Sequence, residues 1–257
     1  MSVLKVSCWS DLHLDYGFDI LKYLELPQAD VLLIPGDLAC DKLLFKKGLK
    51  FLSERFKHVI CVPGNHEFEN KDMLEHRTWL ANLEIPNVSI LDDGVKVIEN
   101  VRFIGSTLWS DCLDDQTQAN IAQYIFAYWP IQYGKRTFTP ADSTELHYRM
   151  CDYIAHQLSE ARRMGQVSAV VTHHAPSKQS IHTRFLRSAN NPAFYTDLED
   201  FIGLHQPDYW FHGHMHHSSR YEIGQGLVLS NPLGHPLYVN EKFDSQLVIP
   251  MTKRYED

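Results

Sequence analysis

Short apolar runs, each cut off by turn-forming or polar residues, recur along this chain. Residues 3–8 alternate and are rich in β-formers, whereas Val31-Leu32-Leu33-Ile34 and Val59-Ile60-Cys61-Val62 are continuous apolar runs. Unbroken runs of that length belong to strands buried on both faces. Between them, residues 43–56 place Leu44, Leu49, Leu52 and Phe56 on or near one helical face, and residues 20–24 read as a shorter helix. Strand, helix, strand, helix in this order predicts a parallel sheet with crossover helices.

Further along, residues 73–83 look helical, and 88–91, 95–98 and 101–105 read as strands, with Asp93-Gly94 as a hairpin signal between the first two. From 106 to 140 the pattern turns irregular and aromatic, with Trp109, Tyr124, Phe126, Tyr128, Trp129, Tyr133 and Phe138. This reads as an insertion with some helix near 118–128, either a satellite core under a long loop or a cap over the substrate path. Asp142 or Ser143 can cap a long helix reaching about Met164, with Leu146, Met150, Ile154 and Leu158 on one face and Gly165 as its stop. Strands follow at 168–172 and 208–211, a polar loop at 177–191, a short helix at 197–205, and a hairpin from 220–223 to 227–229. Without a repeat or a linker, residues 1–257 are expected to form a single domain.

The strand exits carry the chemistry. In chain order they present Asp11-Leu12-His13, Gly36-Asp37, Gly64-Asn65-His66-Glu67, His173-His174 and Gly213-His214-Met215-His216. Ligands of open α/β sheets bind at the carboxyl ends of strands. Asp11 and His13, two apart on an extended segment, face the same way and could reach one ion. Singly, Asp and Asn at such places cap helices or close turns; the ordered set of five, in a chain with 15 histidines, points to metal. Two divalent ions about 3.5–4 Å apart need a bridging group, which the two oxygens of Asp37 can supply. Asp11, His13 and His216 would complete the sphere of one ion, and Asn65, His214 and either His173 or His174 that of the other. This mixed oxygen and nitrogen set suits Mn, Fe, Zn or Co.

The same five motifs resemble the calcineurin-like metallophosphoesterase superfamily, with its Asp-x-His, Gly-Asp, Gly-Asn-His-Glu/Asp, lone His and Gly-His-x-His. The resemblance spans Asp11 to His216 and is nearest to the small bacterial-type phosphoesterases. It implies an α/β fold, a four-layer α/β/β/α sandwich of two mixed sheets flanked by helices. It also implies hydrolysis of a phosphomonoester or phosphodiester by a metal-bridging hydroxide at the Asp37 bridge. His66 would face the phosphate and protonate the leaving oxygen, with Glu67 a candidate to orient it. His173, directly after its strand, stands where the family places a ligand, which leaves His174 to line the pocket and meet substrate. His212 and His217 read as packing or surface residues. Lys178, His182, Arg184 and Arg187 form either a solvated face or a phosphate-binding loop.

Composition narrows the partners. A net charge of −8, from 24 basic and 32 acidic residues, speaks against general affinity for a nucleic-acid backbone. A small phosphorylated substrate stays compatible, because bound cations would reverse the local field. Five scattered cysteines without a Cys-x-x-Cys fit a reducing compartment. No apolar stretch reaches membrane-spanning length, and the first residues enter a strand pattern at once, so a cytoplasmic protein without a membrane partner is expected. The competing reading outside enzymes is a scaffold of the same fold that binds a protein partner. Other hydrolase chemistry lacks its motifs: the chain has neither His-x-His-x-Asp-His nor Gly-x-Ser-x-Gly.

Overall fold

The continuous apolar runs become central strands, because only there are both faces of a strand covered. A computed structural model describes residues 3–112 and 130–255. In the first sheet, β1 (Lys5–Cys8), β2 (Val31–Pro35), β3 (His58–Val62) and β4 (Val88–Ile90) run parallel. In the second, β6 (Val101–Ser106), β9 (Val167–Thr172), β10 (Tyr209–His212) and β12 (Gly226–Ser230) run parallel, flanked by antiparallel β5 (Gly94–Ile98) and β11 (Ser219–Ile223). Short ribbons join β7 (Gln132–Tyr133) to β8 (Arg136–Thr137) and β13 (Gly234–His235) to β14 (Tyr238–Val239), and β15 (Ile249–Pro250) lies antiparallel against β1. The sheet orders are β15-β1-β2-β3-β4 and β11-β12-β10-β9-β6-β5.

Strand alternation sorts the core into layers. Val31, Leu33, Ile60 and Val62 of the first sheet meet Phe103, Ala169, Val171 and Phe211 of the second. The intervening residues Leu32, Ile34, Val59 and Cys61 instead cluster with Phe45, Leu49 and Leu52 of the helix Lys42–Ser53. On the other side Ile104, Val170 and Trp210 belong with Leu146, Met150, Ile154 and Leu158 of the helix Pro140–Arg163. Helix, sheet, sheet, helix is the four-layer sandwich the sequence implied. Each buried Val, Leu, Ile, Phe or Met among them contributes about 1.5–3 kcal/mol, so the frame that carries the strand ends is firmly held.

Two local expectations are corrected. Asp93-Gly94 does not close a hairpin: β4 pairs with β3, and β5 crosses to the other sheet and pairs with β6, the turn lying at Glu99-Asn100. The long helix is capped by Thr139, not by Asp142 or Ser143. Pro140 opens it, and Asp142 accepts the Thr139 N–H at 2.8 Å while Thr139 Oγ1 accepts the Asp142 N–H at 3.4 Å. That is a reciprocal capping box. The hairpin of β11 and β12 forms as expected. Of the aromatic insertion, Trp109, Ile131 and Phe138 are buried in the core, while the helix expected near 118–128 lies outside the described residues. All five cysteines are free, and no helix among the described residues is long and apolar enough to cross a membrane.

Candidate metal centre

The expected ligands leave their strands in tight reversals rather than extended segments. Asp11, His13, Asp37, His214 and His216 all have positive φ, between 42° and 66°. Asp11 and His13 are therefore brought together by left-handed backbone, not by strand alternation. Such residues cost of order 1–3 kcal/mol each and persist only where the surroundings hold them. Here the loops brace one another: Asp11 N–H donates to Gly36 O at 3.1 Å, His13 N–H to Asp37 O at 3.0 Å, and Gly213 N–H to His173 O at 3.0 Å. Gly64 is required by crowding, since a Cβ there would lie 2.2 Å from Asp37 Oδ1 and 2.8 Å from His173 Cε1.

These reversals assemble two clusters that meet at Asp37. In the first, Asp11, His13, Asp37 and His216 offer ligand atoms within 4.8 Å of one another. His216 Nε2 stands 3.2 Å from Asp11 Oδ1 and 3.1 Å from His13 Nε2, which is 3.9 Å from Asp37 Oδ2. In the second, Asp37, His173 and His214 converge. His173 Nε2 lies 2.9 Å from Asn65 Oδ1, 3.0 Å from His214 Nδ1 and 3.4 Å from Asp37 Oδ1. One carboxylate thus turns Oδ1 to one cluster and Oδ2 to the other.

The residues fit divalent cations. Asp37 Oδ2 is buried without a hydrogen-bond partner among the described residues. The facing imidazole nitrogens place lone pairs against one another unless a proton or a cation sits between them. His173 Nδ1 meets Pro35 O at 3.0 Å, so that nitrogen carries the proton and Nε2 presents its lone pair inward. Burial pushes His13 down to about 4, keeping it neutral, the form a ligand needs. Burial alone would raise the Asp11 and Asp37 carboxyls, but the surrounding imidazoles hold both below the usual range.

The neighbouring residues divide differently from expectation. His66 donates its backbone N–H to Asp37 Oδ1 at 3.1 Å, and its Nε2 stands 4.0 Å from Asp37 Oδ2. Its Nδ1 pairs at 3.1 Å with Glu69, not Glu67. Burial disfavours the His66 cation, yet the Asp37 and Glu69 carboxylates outweigh it and raise the imidazole to about 9; bound cations would pull it back. Glu67 is fully buried and accepts three backbone N–H groups, from Asp37 and Ala39 at 3.0 Å and from Gly64 at 2.6 Å. It clamps two loops together and does not orient His66. Glu69 was legible as a partner three residues after His66 on one helical turn; sequence reasoning missed it.

His174 stays outside both clusters. It is buried, its Nδ1 meets Thr107 O at 3.2 Å, and its ring packs on Trp109 and His214 with centroids 5.4 and 4.4 Å away. Phe194, which no motif marked, also stacks on His214, at 4.8 Å. His212 is a packing residue, accepting from Ser180 Oγ at 2.8 Å. His217 is half-buried and meets the His182 ring at 4.5 Å. Lys178 pairs with Asp197, and Arg184 and Arg187 are exposed.

A four-layer sandwich with a centre rich in aspartate and histidine at its strand ends points to the metallophosphoesterase class. Residues 4–218 match the calcineurin-like phosphoesterase family, and the chain belongs to it. It is 29% identical to the uncharacterized protein L509 of Acanthamoeba polyphaga mimivirus, over 88% of this chain and 89% of that protein. Among solved structures, the phosphopantetheinyl hydrolase PptH of Mycobacterium tuberculosis superposes with a TM-score of 0.70 at 16% identity over 92% of both chains. A dimetal phosphatase from Danio rerio gives 0.51 at 10% identity, over 90% of this chain and 87% of that one. These likenesses show the shared fold.

Proposed function

We propose that the chain is a dinuclear metal-dependent phosphoesterase acting on a small phosphomonoester or phosphodiester. The observation that carries this reading is the divided Asp37 carboxylate, one oxygen toward each cluster and Oδ2 buried without a hydrogen-bond partner among the described residues. Asp11, His13 and His216 would hold one ion with Asp37, and Asn65, His173 and His214 the other. When bound, the ions would supply Lewis-acid stabilisation of phosphoryl charge and an acidified water as nucleophile.

The chain's own groups do the rest. Glu69 fixes the His66 ring through Nδ1, leaving Nε2 on the side of Asp37. A protonated Nε2 there donates to the leaving oxygen or steadies charge growing on the phosphoryl group. His174, held neutral by burial, packs beside His214 and keeps water out of that flank; this is a lining role rather than a ligand role.

The test is hydrolysis of p-nitrophenyl phosphate and bis-p-nitrophenyl phosphate by manganese-loaded protein, with Asp37→Ala and His66→Ala alongside. Metal-dependent turnover that falls at least about 100-fold in both variants supports the reading, and the ratio of the two substrates separates monoesterase from diesterase. Two bound ions without turnover on any phosphoester would favour the scaffold instead.

A further inference from the structure

The wall of the centre beyond His13 is built of rings that no ligand motif accounts for. The His13 ring has His66 at 4.8 Å, Tyr16 at 6.3 Å and His235 at 5.8 Å around it. Tyr16 and His235 meet each other edge to face at 4.7 Å. Tyr16 is 59% exposed although its ring adjoins a buried histidine of the centre. Tyr238 pairs with His235 across the β13–β14 ribbon, so both side chains project to one face, and Tyr238 is 72% exposed.

This wall is fixed rather than trailing. Tyr16 closes a 3-10 turn whose Asp15 carboxylate accepts the N–H groups of Cys40 and Asp41 at 2.6 and 2.8 Å. The segment bearing His235 is tied to the metal motif itself: Leu233 N–H donates to Ser10 O at 2.9 Å and Gly234 N–H to Asp11 O at 3.2 Å. Exposed aromatic rings clustered beside a polar centre offer a surface on which another planar ring can pack.

We propose that Tyr16 and His235, extended by Tyr238, form a platform that selects substrates carrying a planar unsaturated ring next to the phosphoryl group. The inference rests on the phosphoesterase reading of the centre. His66, Tyr16 and His235 all adjoin the one His13 ring, so a ring carried next to a phosphoryl group held at the centre comes within reach of the platform. The ligand class is therefore an aryl or heterocyclic phosphoester rather than a phosphorylated aliphatic alcohol or sugar alone.

The test is a binding comparison on manganese-loaded protein with benzylphosphonate and cyclohexylmethylphosphonate, which differ in ring planarity and carry no cleavable ester. The wild type is expected to bind the benzyl compound about five- to tenfold more tightly, the scale of one aromatic pair. Tyr16→Ala, Tyr16→Leu and His235→Ala each bring the ratio toward one, whereas Tyr16→Phe keeps it; manganese content of each variant is measured beside it. Equal affinities in the wild type, a ratio unmoved by Tyr16→Ala and His235→Ala, or binding of neither compound overturns the platform. Ring selectivity in a protein that cleaves neither nitrophenyl ester keeps the platform and removes the reaction. Turnover without ring selectivity removes the platform alone.

Discussion

The Glu67 carboxylate accepts the backbone N–H of Asp37 at 3.0 Å, so the loop after β3 holds the loop after β2. The same carboxylate takes the N–H groups of Ala39 and Gly64, and it is fully buried. Burial and the nearby Asp37 charge push its pKa up to about 7, against the pull of these N–H groups. Glu67→Gln keeps the shape but turns an amide NH2 toward donors that need an acceptor. The expected cost is about 1–3 kcal/mol in denaturant unfolding, with metal affinity weakened about 10- to 100-fold, as when an oriented ligand loses its support. Metal titration of Glu67→Gln matching the wild type would show that the clamp is not needed.

The two clusters predict separable ions. Inductively coupled plasma analysis of dialysed protein should give about two ions per chain for the wild type, from the two-cluster geometry. His216→Ala should lose one and His214→Ala the other, while Asp37→Asn, placed between them, weakens both. Metal at 100 times its dissociation constant should stabilise the fold by about 2.7 kcal/mol per site, and chelator should reverse that. Two retained ions in His216→Ala would disconnect that residue from the centre.

Gly64→Ala is expected to damage the centre more than the fold. Its Cβ would sit 2.2 Å from Asp37 Oδ1 and 2.7 Å from the Asp37 amide nitrogen. The oxygen is buried and held by the His66 N–H and the nitrogen is backbone, so neither yields easily, at about 1–3 kcal/mol for such overpacking. Far-ultraviolet dichroism should stay near that of the wild type while metal content and nitrophenyl phosphate turnover drop together.

Where the chain's pattern is repetitive it was readable, and where two distant segments decide the outcome it was not. Continuous runs such as Val59 to Val62 marked the strands, and motif order marked the side chains that converge in the two clusters. The conformation that brings Asp11 and His13 together was misread, because left-handed backbone at Asp and His is set by bracing from Gly36 and Asp37 carbonyls, a tertiary effect. Asp93 does reverse the chain, with φ 55°, but which strands it joins depends on sheet packing that no turn dipeptide encodes. Glu69 takes the role expected of Glu67 for the same kind of reason: the helical turn Asn65–Phe68 sends the Glu67 carboxylate inward and leaves Glu69 beside His66. Tyr16, His235 and Phe194 carry no spacing signal at all. Thr139-Pro140-Ala141-Asp142, in contrast, is a local capping pattern that was legible and overlooked.

That capping box gives a pH prediction away from the metal centre. Asp142 is 5% exposed and accepts the Thr139 N–H at 2.8 Å, the Thr139 hydroxyl at 2.6 Å and Arg136 Nη1 at 2.6 Å. Burial would raise its pKa, yet the bonds to Arg136 and Thr139 outweigh burial and lower it. A carboxyl lowered by folding adds stability that is full above its unfolded value, about 3.9, and disappears as the pH falls through its folded value. Asp142→Asn should therefore cost about 1–2 kcal/mol at pH 7, the scale of a lost cap, with the gap to wild type closing below about pH 4. Arg136→Ala should cost less, because that guanidinium is 56% exposed and its ion pair is screened by water. Urea unfolding of the three proteins at pH 7 and pH 3 reads both differences. A gap that persists undiminished at pH 3 would mean that Asp142 acts through packing and not through its charge.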